Sequence, residues 1–115
     1  MEKLYNKMPV FDGTNYAYWK ASMISALKAI DECVWILVER GWIPPSVTVD
    51  NVINIKPVTS WTEDEFKWSS FNSKGLSSIS GSVTPDECKR IMTCTTSKEA
   101  WDVLQLTHEG TNALK

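Results

Sequence analysis

Three times in the second half of the chain, a threonine is followed three residues later by a glutamate, just ahead of an apolar pattern. The segments are Thr62-Glu63-Asp64-Glu65, Thr84-Pro85-Asp86-Glu87 and Thr96-Ser97-Lys98-Glu99. In such a box the threonine hydroxyl accepts the N–H of the third helical residue, and the glutamate reaches back to the threonine N–H. Two donors that every helix start leaves orphaned are thereby satisfied. Trp61 and Phe66 flank the first box where a hydrophobic staple sits, and Pro85 occupies a first helical position, where its missing N–H is no loss. Helices are therefore expected over 63–81, 85–94 and 97–108. Trp68, Phe71, Leu76 and Ile79 form the inward set of the first. Cys88, Ile91 and Met92 do so for the second, and Ala100, Trp101 and Leu104 for the third, with His108 near its end. Gly75 lies inside the first of these helices at a cost of about 1 kcal/mol relative to alanine, which predicts a close helix–helix contact there.

The first half adds two helices. Asp12-Gly13 signals a turn, and Thr14 or Asn15 can cap a helix over 16–30 whose inward residues are Trp19, Met23, Leu27 and Ile30, with Ala26 beside them. Asp31 can cap a second helix, ECVWILVER, and Gly41 reads as its stop. That helix is apolar on more than one face, so it is expected to be central. Residues 42–60 break the helical pattern with Pro44-Pro45 and Pro57. They form either a long loop or a short hairpin turning at Asp50-Asn51. Residues 1–13 read as an extended arm, with Leu4, Tyr5, Met8, Val10 and Phe11 free to lie across a neighbouring surface. The expectation is one all-α domain of about five helices spanning 1–115, a size ordinary for a single domain.

Composition narrows the function classes. Six tryptophans are many for such a chain, and each buries a large apolar area. Net charge is −2 and the pI about 5.3, with scattered basic residues, which argues against direct nucleic-acid binding. Three cysteines without paired spacing suit a reducing compartment rather than a disulfide framework. The longest apolar run, 33–38, is far short of a membrane span, and the N-terminus lacks the apolar core of a signal peptide. A soluble cytoplasmic protein without membrane contacts is expected. The single histidine, His108, has no local motif joining it to Cys33, Cys88 or Cys94. Cys88 and Cys94 are spaced too loosely for a zinc hairpin. There is no phosphate-binding glycine loop, and Glu63, Asp64 and Glu65 suit a helix first turn, where they complement the macrodipole. The residues point to a protein that is not an enzyme and holds no metal or cofactor.

Taken together, FDGTNYAYWKASM (11–23), VWILVERGW (34–42) and KEAWDVLQLTHEG (98–110) resemble the N-terminal Gag region of plant copia-type LTR retrotransposons. Phe11, Gly13, Asn15-Tyr16, Trp19 and Met23 match the first block of that pattern. Trp35, Val38, Glu39 and Gly41 match the second, and Glu99, Ala100, Trp101, Leu104, Glu109 and Gly110 the last. The resemblance implies a structural capsid protein, the N-terminal lobe of a retroviral-capsid-like bundle that builds virus-like particles. In the family a second lobe and often a zinc knuckle follow. Residues 111–115 would then begin the linker to that lobe, in an excised domain or a shortened host-borne derivative. The implied partners are self or other Gag copies. Leu4, Tyr5, Tyr18, Trp42 and Trp61 fall outside the inward stripes and are candidates for assembly contacts, unless they only plug helix ends. The alternative is a domesticated module that holds a short hydrophobic peptide or host protein and interferes with Gag assembly. Its groove would lie between the arm and the first two helices, near Tyr16, Trp35 and Trp42.

Overall fold

A computed structural model describes residues 8–110. Two helices come first, α1 (Tyr16–Ile30) and α2 (Glu32–Arg40), then an antiparallel hairpin, β1 (Ser46–Val49) and β2 (Val52–Ile55). Three further helices follow, α3 (Glu63–Ser80), α4 (Pro85–Cys88) and α5 (Ser97–Glu109). The described residues are mostly helical with five α-helices, as expected, but they are not purely α. The 42–60 segment resolves in favour of the hairpin. It pairs Ser46 with Ile55 and Val49 with Val52 around Asp50-Asn51, whose φ values of 51° and 64° are those a two-residue primed turn requires.

The helix starts show which boxes close. Thr62 makes the full reciprocal pair with Glu65, its hydroxyl accepting from Glu65 N at 3.1 Å while Glu65 Oε1 accepts from Thr62 N at 2.9 Å. The Trp61 and Phe66 rings meet at 5.2 Å, completing the staple. Thr96 accepts from Glu99 N, but Glu99 reaches past it to Thr95 N at 3.0 Å. Thr84 makes no side-chain cap bond, and Glu87 does not reach back to it but turns inward to His108. Helix α4 is also shorter than expected. After Cys88 the bonds run from Arg90, Ile91 and Cys94 to carbonyls three residues back, winding the chain into tight turns toward the Thr-Cys-Thr-Thr run. Ile91 is buried, whereas Met92, expected inward, is exposed. Ile30, also expected inward, is partly open to solvent at 38% exposure. At the start of α1 neither Thr14 nor Asn15 caps the helix. Asp12 accepts from Thr14 N and Oγ1 instead, and these bonds hold its carboxyl below the usual carboxylate range.

The core gathers around α1, α2, α3 and α5. Trp19, Met23 and Leu27 of α1 pack with Val34 and Val38 of α2, Ile79 of α3, and Trp101 and Leu104 of α5. A Cβ on Gly75 would stand 3.1 Å from Ser97 Cβ and 3.2 Å from Val38 Cγ2, so the glycine lets α2, α3 and α5 close on one another. Phe11 is not a surface arm residue. It is 1% exposed and bonds across to the segment after α3, with Phe11 N donating to Ser82 O and Thr84 N donating to Phe11 O.

Candidate functional site

Two clusters of chemistry-bearing residues stand out, one buried and one open. The buried one centres on His108. Its Nε2 lies 2.7 Å from Glu87 Oε1, and Arg90 Nε reaches the same oxygen at 3.3 Å. The imidazole meets the Phe11 ring edge-on at 4.6 Å and stacks on Tyr16 at 5.6 Å. Gly13 seats the Asp-Gly turn against Glu87, whose Oε2 would lie 3.3 Å from an added Cβ. Tyr16, expected among the contact residues, is therefore a core residue, 7% exposed, with a hydroxyl that has no hydrogen-bond partner among the described residues. Burial, with Glu109 and Asp102 nearby, pushes that phenol far up. The histidine–carboxylate pair joins the N-terminal segment, α4 and α5 in one packed unit. Burial also raises the thiols of Cys33 and Cys94, helped by Asp31 and Glu99 respectively, so both are weakened as nucleophiles. No group of three or more metal-ligating side chains occurs among the described residues.

The open cluster begins where α2 ends. Gly41, at φ 100°, stops the helix with its N–H on Leu37 O at 2.7 Å. Pro44-Pro45 then steers the chain into the hairpin. At the far side, Lys56 bonds Glu65 at 2.8 Å, and the Trp61 indole donates to Lys56 O at 3.3 Å. These contacts tie the hairpin base to the start of α3. Between the two attachments lies a groove of about 320 Å³. Leu37, Gly41 and Trp42 line it from the end of α2, Ile43 and Pro45 from the segment after it, and Glu65 and Trp68 from α3. A second groove of about 400 Å³ shares Gly41, Trp42 and Ile43 and runs on to Lys98 and Asp102 of α5. Trp42 belongs to both.

The predicted contact residues divide accordingly. Trp42 lines the groove. Trp61 is partly buried as the staple and hairpin tie, and Trp35 packs edge-on against Trp101 at 5.5 Å. Tyr18 is 68% exposed on α1. Leu4 and Tyr5 lie outside the described residues. The groove lined by Trp42 lies away from Phe11, which packs on Tyr16 and Trp19 of α1. Trp68, Ile43 and the hairpin residues were missed. Trp68 sits three residues before Phe71 and touches its ring edge-on at 5.5 Å, so it shares the helical stripe yet falls at its open border. The apolar side chains of the hairpin face solvent on both sides, Ile53 at 71% on one face and Val52 at 58% on the other. Among the described residues no helix is long and apolar enough to cross a membrane. Comparison with protein-family models, with curated proteins and with solved structures finds no match in any of the three.

Proposed function

We propose that this chain is a non-enzymatic structural domain, a capsid lobe of the copia Gag type that self-associates or co-assembles into particles. The carrying observation is the open apolar face. A groove walled by Trp42 and Trp68 ends at Pro45, next to a hairpin that exposes apolar side chains on both faces, Val47, Val49 and Val52 on one and Ile53 and Ile55 on the other. Clustered exposed apolar residues of this kind mark an interaction site. The resemblance of three sequence blocks to the Gag pattern favours further copies of the same lobe as the partner. The matched residues Phe11, Tyr16, Trp19, Trp101 and Leu104 are core residues, and so fit a pattern that preserves a fold.

The size of the groove supports the second reading, a peptide-binding module, because about 320 Å³ lies at the lower end of the range of ligand pockets. Co-sedimentation with particles formed by a longer copia-type Gag polypeptide separates the two. The capsid reading predicts that the chain pellets with the particles and that Trp42→Ala lowers the pelleted fraction several-fold while helical circular dichroism is unchanged. A chain that stays in the supernatant at every concentration contradicts co-assembly and leaves the peptide module as the better reading.

A further inference from the structure

The hairpin carries an inference about how two copies meet, which rests on the self-association reading above. In a two-residue hairpin closed by Val49 and Val52, hydrogen-bonded pairs alternate with non-bonded ones. The bond from Lys56 N to Pro45 O at 2.8 Å marks the same phase at the open end. Residues 52, 54 and 56 therefore turn their backbone groups toward β1, and Ile53 and Ile55 turn theirs outward. The outward N–H and C=O groups of these two isoleucines have no backbone partner among the described residues. Such an edge is a template for another strand unless charge, proline or a bulge blocks it. Among the described residues none of these falls within β2, which reads Val-Ile-Asn-Ile; Lys56 and Pro57 come only after it.

We propose that β2 pairs antiparallel with β2 of a second copy about a two-fold axis at Asn54. In that register Ile53 of each copy lies opposite Ile55 of the other. Each such pair exchanges both backbone hydrogen bonds, and the four isoleucines share one face. Asn54 faces its own symmetry mate as a non-bonded pair, with Cα atoms about 4.5 Å apart. Antiparallel pairing brings the exposed Ile53 and Ile55 of both copies together and satisfies the outward N–H and C=O groups of each. A strand that complements itself in hydrogen bonding and in apolar contacts fits a second copy of this chain, the arrangement of an isologous dimer.

Two measurements test the pairing. Because the Ile53 N–H points out of the hairpin, Ile53→Pro removes an edge donor without removing a bond to β1. It should weaken the dimer about tenfold or more, as each copy loses one donor. Thr48→Pro, the equivalent change on the outer edge of β1, should leave the dimer unchanged. Independently, mild oxidation of Asn54→Cys should give a disulfide dimer whose linked peptides contain residue 54, since about 4.5 Å lies within the range a disulfide spans. Wild-type association that Ile53→Pro does not weaken, with no 54–54 crosslink, overturns the β2 pairing and leaves self-association standing through another face. A wild-type chain that does not associate at all overturns both.

Discussion

Gly75 is where three helices come closest, and its missing side chain is the condition for that approach. Alanine there gains about 1 kcal/mol of helix propensity. Its Cβ would meet Ser97 and Val38 at 3.1 and 3.2 Å, and both are fully buried, so neither has room to retreat. Overpacking of this kind costs about 1–3 kcal/mol, so the net expectation for Gly75→Ala is a loss of about 1 kcal/mol, read as a lower urea midpoint. The close contact was legible because a glycine inside a helix needs a compensating reason. Its partners were not legible, since they depend on how α2 and α5 cross α3. Glu87 shows the same limit. Its spacing from Thr84 reads as a cap, yet His108, distant in sequence, claims the carboxylate at 2.7 Å. Tyr16 lies in phase with Trp19 and Met23 and is buried with them, but the insertion of Phe11 beside it is a tertiary event that no local period announces.

At the level of elements, the three helix starts share one recipe but use it differently. Thr62→Ala and Thr96→Ala should each destabilise by about 1 kcal/mol, because each hydroxyl accepts a backbone N–H. Thr84→Ala should stay within about 0.5 kcal/mol, since its hydroxyl caps nothing. Glu65 adds a pH signature to the first start. The Lys56 ammonium, and then the Thr62 N–H, hold its carboxyl below the ordinary carboxylate value. Its contribution is therefore complete above that value and is lost as pH falls through the depressed folded one. Urea midpoints of wild type and Glu65→Gln should differ near neutrality and converge as the solution is acidified. The elements themselves were largely readable, because caps and apolar periods agree along α2, α3 and α5, while α1 was marked by its apolar period and the Asp12-Gly13 turn rather than by a cap. The hairpin was readable only as one of two options. Alternating Val and Ile usually mark a strand with one buried face, and here every residue of β1 and β2 is exposed. The shortening of α4 follows from tight turns that no cap signal encodes.

For the whole molecule, the aromatic residues divide between two jobs. Phe11, Tyr16, Trp19 and Trp101 pack ring on ring and hold the N-terminal segment to α1 and α5. Trp42 and Trp68 stand at the edge of that core and open onto the groove and hairpin. The candidate site was thus legible in one residue, Trp42, whose position just past a helix stop left it outside any inward stripe. The rest of it comes from the hairpin base being tied to α3 by Lys56, Glu65 and Trp61, contacts that join segments only after folding. The central claim is that this open face is made for other copies of the chain. Sedimentation of the wild-type protein from micromolar to millimolar concentration tests it most directly. The account predicts a weight-average mass that rises with concentration toward the dimer and beyond. A mass that stays at 13.0 kDa across the whole range would contradict it.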